Sequence, residues 1–138
     1  GTPVILSNLS IIDLGLREED DLKKDQKQLL SSINKWKDVW IDRSYEEYIN
    51  FYSADAKYNN SNYKKWSLRK KNVFKKSKNI TITLSNISIY EYPSDKDQVR
   101  IVLFNQEYKS NLIANKTKKK QIWKNINEEW KIIYEGTE

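Results

Sequence analysis

Histidine, cysteine and methionine are absent from the 138-residue sequence, and there are only three glycines and two prolines. Without cysteine or histidine, the chain cannot form disulfides, Cys/His zinc sites, thiol nucleophiles, imidazole bases or a Ser-His-Asp triad. No apolar run approaches the roughly 20 residues that a bilayer-spanning helix needs. We therefore expect no catalytic residue, no metal site and no cofactor in this chain.

Aromatic residues, by contrast, are frequent at 12% of the chain, and hydrophobic residues make up 38%. This content argues against a wholly disordered chain. A length of 138 residues fits one ordinary domain and leaves little room for a second full core. We therefore expect one main folded domain.

Positive charge is concentrated in the middle of the chain. The net charge is −4 for residues 1–55, +9 for residues 56–90 and +1 for residues 91–138. A surplus of this kind attracts partners that carry phosphate or carboxylate groups. The surplus could instead result from AT-rich coding DNA, whose codons favour Lys, Asn and Ile. These three residue types together make up about a third of the chain. Both explanations stay open.

Apolar residues recur with helical spacing between about residue 22 and residue 42. At i, i+4, i+7 and i+11 the stripe consists of Leu29, Ile33, Trp36 and Trp40. We interpret Trp36, Trp40 and Trp130 as core residues, because tryptophan on an apolar face usually serves packing.

Two further helices are predicted before the middle of the chain. Ser44 and Glu47 match the capping-box pattern S-x-x-E, which indicates a new helix start. The apolar face of that helix would carry Tyr45, Tyr48, Ile49 and Tyr52. A third helix, residues 63–78, follows a polar break at residues 59–62 and places Trp66 opposite a run of lysines.

After residue 78 the apolar pattern changes to the alternation of strands. Residues 80–84 alternate strictly and residues 87–90 resume out of phase, which predicts a bulge near Ser85-Asn86. The elements expected next are a turn at 93–97, a strand at 98–111, a turn at 115–117 and a hairpin of 119–126 with 129–135 around Asn127-Glu128. Three helices followed by four antiparallel strands predict an α+β fold, with the helices packed on one face of a curved sheet.

Six segments rich in aromatic residues follow one another in a definite order: Trp36–Trp40, Tyr45–Asp55, Trp66, Gln106–Ser110, Lys119–Trp123 and Trp130–Glu135. This order resembles that of the nuclear transport factor two-like (SnoaL-like) superfamily. More narrowly, residues 22–135 resemble the accessory domain of periplasmic L,D-transpeptidase-type enzymes. One of these enzymes is an L,D-carboxypeptidase that trims peptidoglycan stem peptides and determines helical cell shape.

The resemblance implies a cone-shaped fold with a pocket at its open end, in a periplasmic protein. It also implies that residues 22–138 form the nuclear transport factor two-like domain. Residues 1–21 would then be a linker or the end of a preceding catalytic domain, and the chain a piece of a longer protein. The catalytic domain of that family uses a Cys beside a His, and this chain has neither. The implied function is therefore non-catalytic binding of peptidoglycan stem peptides or muropeptides, which positions the linked L,D-carboxypeptidase on the cell wall.

Strand parity indicates which hairpin residues share a face. A two-residue turn at residues 127–128 pairs Trp123 with Ile132. That pairing places six residues on one face: Lys119, Gln121, Trp123, Trp130, Ile132 and Tyr134. The matching residues of the preceding strand are Phe104, Gln106 and Tyr108. A slip of one residue in the register would reverse this assignment.

Ten residues are our candidates for ligand contact: Tyr45, Tyr48, Tyr52, Trp66, Gln106, Tyr108, Lys119, Gln121, Trp123 and Tyr134. Lys119 is the most informative of them, because an ammonium group on an aromatic face must reach the rim or meet an anion. Three tyrosines on one face indicate a wall that is partly polar, since a buried hydroxyl needs a partner. For each candidate the alternative is plain packing in the core.

Three rival functions remain open. The basic helix at residues 64–78 could bind nucleic acid or a protein, but Arg69 is its only arginine, and we expect no nucleic-acid partner. A small-molecule enzyme of the SnoaL-like type would need a carboxylate base, for which Asp38, Asp42 or Asp55 could serve. The sheet face could also mediate formation of a homodimer.

Overall fold

The computed structural model describes residues 4–7, 10–11, 19–58, 61–92 and 98–138. Within these ranges the elements are β1 (Val4–Ser7), β2 (Ser10–Ile11), α1 (Glu19–Ile41), α2 (Tyr45–Ile49), β3 (Tyr52–Tyr58), β4 (Ser61–Asn62), α3 (Tyr63–Lys76), β5 (Thr81–Glu91), β6 (Val99–Lys109), β7 (Ala114–Ile126) and β8 (Glu129–Thr137). No helix in the described part of the chain is long and apolar enough to cross a membrane. The turn expected at residues 93–97 lies outside the described residues.

The long helix α1 confirms the stripe predicted from apolar spacing. Its four members, Leu29, Ile33, Trp36 and Trp40, are all at most 3% exposed. The rings of Trp36 and the β6 residue Phe104 pack edge to face, with their centroids 6.1 Å apart. This face of α1 therefore packs on the concave side of the sheet, as the helical period predicts.

The second helix begins after Ser44, as predicted, but it is much shorter than expected and lacks the hydrogen bond of a capping box. Ser44 makes no side-chain cap hydrogen bond, and α2 ends at Ile49. Tyr52, which we expected on the same helical face, instead begins strand β3. Strand β3 pairs with β8 in parallel, so tertiary hydrogen bonding overrides the local helical pattern.

Helix α3 follows a polar N-cap, in agreement with the predicted break. The Asn62 side chain accepts a hydrogen bond from the Lys65 backbone N–H at 2.9 Å, which satisfies one of the free donors of the first turn. Trp66 and Phe74 are buried on the side that faces the molecule. The helix therefore lies over the interior with a lysine-rich outer face.

The described strands form one sheet in the order β2-β1-β5-β6-β7-β8-β3-β4. The sheet is mixed, because β3 and β8 run parallel whereas the other pairs are antiparallel. The register of β5 shifts between Ser85 and Ser88, and Asn86 has a φ of 52°. The predicted bulge is thus confirmed, and the fold is the expected curved α+β cone, but the sheet is not wholly antiparallel as predicted, because β3 joins it parallel to β8. The division of the chain at residue 21 stays a prediction.

The hairpin of β7 and β8 has the predicted turn and initial register. Asn127 and Glu128 have φ values of 52° and 68°, which suits a type I′ turn. Trp123 pairs with Ile132, as expected, but the register shifts at once, so that Tyr134 pairs with Ile122. The prediction that Tyr134 shares the face of Trp123 is therefore wrong, because one extra residue in β8 reverses the parity.

The turn before β7 also differs from the prediction at residues 115–117. Strand β7 already begins at Ala114. The turn lies at residues 110–113, where the Ser110 hydroxyl accepts a hydrogen bond from the Leu112 backbone N–H at 3.1 Å. The longer strand places Thr117 opposite Gln106 on β6.

Candidate ligand-binding pocket

A cavity of about 520 Å³ lies between the C-terminal half of α3 and the concave face of β6 and β7. We call it the α3 pocket. Its lining residues are Trp40, Lys70, Asn72, Val73, Lys76, Ser77, Gln106, Tyr108, Ser110, Leu112, Ile113, Asn115, Thr117, Lys119 and Thr137. Val73, Leu112 and Ile113 are more than 40% exposed, so the rim of the pocket is apolar.

Four buried polar atoms around this pocket have no hydrogen-bond partner within the described part of the chain. They are Trp40 Nε1, Gln106 Oε1, Tyr108 Oη and Thr117 Oγ1. A buried polar atom without a partner costs about 1–3 kcal/mol, so most such atoms in native proteins are paired. Four of them around one cavity indicate that the partners belong to a ligand or to water.

The α3 pocket is positively charged. Three lysines line it, and none of the described residues in its lining is acidic. Lys70 Nζ lies 4.7 Å and Lys119 Nζ 5.6 Å from the centroid of the Trp40 ring, so two ammonium groups lie close to one aromatic ring. This arrangement suits an anionic group in the ligand.

Glu135 lies beside the pocket as the buried counter-charge of these lysines. Its Oε2 is 3.7 Å from Lys119 Nζ, and its side chain is 5% exposed. Its Oε1 accepts hydrogen bonds from the Tyr52 hydroxyl at 2.8 Å and from Gln121 Nε2 at 2.7 Å. One carboxylate therefore faces two lysines, which leaves a net positive charge for the pocket.

The pKa values reflect this excess of positive charge. Desolvation first, and then repulsion by Lys119, lower the pKa of Lys70 to about 8, although Glu135 acts in the opposite direction. Burial alone would raise the pKa of Glu135, but Lys119, Lys70 and the two hydrogen bonds together hold the pKa of Glu135 below its usual value. An incoming anion would therefore favour the charged form of Lys70.

Three of the ten candidate residues line the α3 pocket. They are Gln106, Tyr108 and Lys119. Because Lys119 pairs with Glu135 and is only 12% exposed, it meets an anion inside the protein, one of the two outcomes expected for it. That a ligand contacts these three residues remains a prediction.

Four of the other candidates lie in the interior of the protein. Trp123 Nε1 donates to Gln121 Oε1 at 2.9 Å, and both side chains are completely buried. Tyr48 and Tyr52 join their hydroxyls at 3.0 Å deep in the core. These four residues therefore form an interior network, not the lining of the α3 pocket.

Tyr45, Trp66 and Tyr134 are placed in three different surroundings. The Tyr45 hydroxyl donates to the Ser67 carbonyl oxygen at 3.1 Å. Trp66 stacks on Tyr58 with a centroid distance of 4.2 Å. Tyr134 lies on the outer face of the sheet, with Lys120 Nζ 5.9 Å from its ring centroid.

Sequence reasoning missed Lys70 and Thr117 as pocket residues and Glu135 as the buried counter-charge beside the pocket, and it assigned Trp40 to the core alone. Lys70 is the one lysine of α3 that lies four positions after Trp66, on the buried stripe, and that spacing was a usable signal. Thr117 fell in a segment predicted to be a turn. Glu135 was hidden because its face depends on the bulge of β8, which leaves no signal in the residue pattern.

Comparison with known protein families gives one match that covers most of the chain. Residues 28–136 match the model of the Cds6 C-terminal NTF2-like domain, where NTF2 stands for nuclear transport factor 2. The chain belongs to this family. A search of curated proteins gives no match.

Solved structures share the NTF2-like fold. The helical cell shape determining protein Pgp2 from Campylobacter jejuni is 21% identical, with a TM-score of 0.67 over 80% of this chain and 41% of its own. Bd1075 from Bdellovibrio bacteriovorus is 25% identical, with a TM-score of 0.75 over 86% of this chain and 42% of its own. An NTF2-like protein of unknown function from Pseudomonas putida is 9% identical, with a TM-score of 0.69 over 83% of this chain and 86% of its own.

This NTF2-like domain therefore covers about two fifths of the length of Pgp2 and of Bd1075.

Proposed function

We propose that this domain binds peptidoglycan stem peptides, without cleaving them, in the α3 pocket. In the periplasm it would position a linked L,D-carboxypeptidase on the cell wall. The observation that carries the proposal is the cluster of four unpartnered polar atoms in a pocket lined by three lysines and apolar rim residues. The similarity to Pgp2, a cell shape determining protein, supports the cell-wall context.

The chemistry of a stem peptide fits this lining group by group. A terminal carboxylate would lie against Lys70 and Lys119, over the Trp40 ring. A peptide N–H would donate to Gln106 Oε1, and peptide carbonyls would accept from the Tyr108 hydroxyl and Trp40 Nε1. The apolar rim would pack against the alkyl parts of the peptide, as is usual for ligand pockets.

The affinity for a single peptide should be modest. The pocket is open at its rim, and the lysine charges are partly neutralised by Glu135, so a dissociation constant near the millimolar range, or about 4 kcal/mol, is expected. Peptides repeated along one polymer would raise the apparent affinity through effective concentration.

NMR titration of the ¹⁵N-labelled chain with a tripeptide or tetrapeptide muropeptide tests the proposal. Saturable shifts are expected at Gln106, Tyr108, Lys119 and the indole N–H of Trp40. Tyr108→Phe removes the unpartnered hydroxyl and should weaken binding several-fold. Tyr134→Phe removes the corresponding hydroxyl on the outer face of the sheet and serves as the matched control.

Two results would contradict the proposal. One is an absence of saturable shifts at millimolar muropeptide. The other is a set of shifts confined to exposed lysines in α3 and just after it, Lys64, Lys71, Lys75 and Lys78, which would indicate a nonspecific charge contact. A parallel salt titration with DNA separates this second result from nucleic-acid binding, which is steeply salt-dependent.

A second candidate function, a small-molecule enzyme, is favoured by one observation. Glu135 is a buried carboxylate whose charge acts on Lys70, a lysine of lowered pKa, and interacting groups with perturbed pKa values are frequent in active sites. Asp38, Asp42 and Asp55, the carboxylates considered from the sequence, are exposed and line neither the α3 pocket nor its surroundings. Mass spectrometry of the muropeptide after prolonged incubation decides between the two: recovery of unchanged peptide supports binding, and conversion supports catalysis.

A further inference from the structure

A second cavity, of about 710 Å³, lies along the N-terminal half of α3. We call it the Tyr58 cavity. Its lining residues are Tyr58, Ser61, Lys65, Trp66, Leu68, Arg69, Lys119, Glu135, Gly136 and Thr137. Lys119 and Thr137, which pair across β7 and β8, also line the α3 pocket. The two cavities therefore follow one another along α3, with Lys119 between them.

Tyr58 presents a polar group to this cavity that nothing in the described part of the chain satisfies. The residue is 7% exposed, and its hydroxyl has no hydrogen-bond partner. Its ring is held in place by stacking on Trp66, at a centroid distance of 4.2 Å and an angle of 10°. Burial, and next the charge of Glu135, raise the pKa of Tyr58, so the hydroxyl stays a neutral donor.

The charges around the Tyr58 cavity are also uncompensated. Lys65 and Arg69 are exposed side chains of α3, and neither forms an ion pair with any residue that the structure describes. Glu135 is the acidic residue in the described lining, and both of its oxygens already face Tyr52, Gln121 and Lys119. An arginine and a phenol donor beside a cavity suit a carboxylate, which an arginine can bind with two parallel hydrogen bonds.

We infer that the Tyr58 cavity is a second carboxylate subsite, which binds another carboxylate of the same extended peptide that occupies the α3 pocket. Arg69 and Lys65 supply the positive charge, and the Tyr58 hydroxyl donates a hydrogen bond. The domain would thereby select peptides that carry at least two carboxylates along an extended backbone. This inference rests on the proposed function, because it takes the peptide in the α3 pocket as the first anchor.

Calorimetric and NMR titrations with two probes test the second subsite. The first probe is a stem tripeptide with all carboxylates free, and the second is the same tripeptide amidated at every carboxylate except the C-terminal one. The wild-type chain should bind the first probe about five- to tenfold more tightly, the gain expected of a partly solvated charged hydrogen bond. Shifts near Tyr58, Lys65 and Arg69 should occur with the first probe alone.

Three variants sharpen the test. Arg69→Gln and Tyr58→Phe should each reduce the affinity for the fully charged probe several-fold and leave the affinity for the amidated probe unchanged. Lys64→Gln removes a charge from the same helix outside the described lining of both cavities, and it should change neither affinity.

The outcomes separate this inference from the proposed function. Equal affinity of the wild-type chain for both probes, with shifts at Gln106 and Tyr108, overturns the second subsite and leaves the α3 pocket standing. If Arg69→Gln and Tyr58→Phe reduce the affinity for both probes equally, the subsite is also overturned, because the variants then show no selectivity for the second carboxylate. Binding of neither probe overturns the subsite and the proposed function together.

Discussion

The Tyr52 hydroxyl donates a hydrogen bond of 2.8 Å to Glu135 Oε1, across 83 residues of sequence. The same hydroxyl accepts from Trp36 Nε1 at 3.1 Å, and Glu135 also accepts from Gln121. One chain of hydrogen bonds thus joins α1, β3, β7 and β8 at the base of the cone. Because this network holds the Glu135 carboxylate in place, it also fixes the negative charge that acts on Lys119 and Lys70.

Glu135→Gln should destabilise the fold by roughly 3–5 kcal/mol at pH 7, because it leaves the buried Lys119 without its counter-charge. The pKa of Glu135 is lowered in the folded state, so its stabilisation is present above the unfolded pKa. That stabilisation is lost as the pH falls through the folded value. Urea denaturation at pH 7 and at pH 3 measures the effect, and the difference between the variant and wild type should shrink at pH 3.

A double-mutant cycle with Lys119→Met is the control for that prediction. The double variant should recover a large part of the lost stability, because neither charge is then left alone in the interior. Strict additivity of the two single changes would show that the 3.7 Å contact carries no coupling energy.

Lys70→Met should stabilise the fold by roughly 1–2 kcal/mol at pH 7, since the folded state lowers the pKa of this lysine to about 8. A lowered lysine pKa costs stability below about pH 8, and the cost disappears as the pH rises toward the unfolded value. Thermal unfolding at pH 7 and pH 10 checks this expectation. Lys71→Met, on the exposed face of the same helix, is the matched control and should show little effect at either pH.

Binding of a muropeptide should weaken as the pH rises from 7 to 9. Lys70 is the cation of the α3 pocket that loses its proton in this range, with a pKa of about 8, and the neutral amine attracts a carboxylate less. Calorimetric titrations at pH 7, 8 and 9 should show a several-fold loss of affinity in the wild-type chain. In Lys70→Met the affinity should be lower and nearly independent of pH; an equally steep profile in this variant would rule Lys70 out as the cause.

Thr117→Val should separate stability from binding. The threonine hydroxyl is a buried atom without a partner in the described residues, and valine has the same shape without the hydroxyl. The free energy of unfolding should rise by up to about 1 kcal/mol, while the affinity for muropeptide falls. A variant that loses stability instead would show that the hydroxyl has a partner within the protein.

Much of the fold could be read from local patterns. The stripe of α1, the bulge near Ser85-Asn86 and the turn at Asn127-Glu128 each depend on spacing or on residues that tolerate a positive φ. Local patterns failed where tertiary pairing decided the conformation. Tyr52 lies in a helical pattern, but it extends because β8 offers a parallel partner.

The candidate site was predictable only in part. Gln106, Tyr108 and Lys119 share the concave face because alternation along regular strands is a local property. The face of Glu135 and Tyr134 depends on one extra residue in β8, and nothing in the alternation of that strand marks it. Lys70 enters the pocket only because α3 lies across the sheet, next to Trp40.

The residue order alone therefore determined most of the helices and strands, the excess of positive charge in residues 56–90, and the absence of thiol and imidazole chemistry. The tertiary structure decided which charges meet, because Lys70, Lys119 and Glu135 come from three separate elements. The pKa of an interior group depends on its distance from other charges and on its burial. Both are set only when the chain folds.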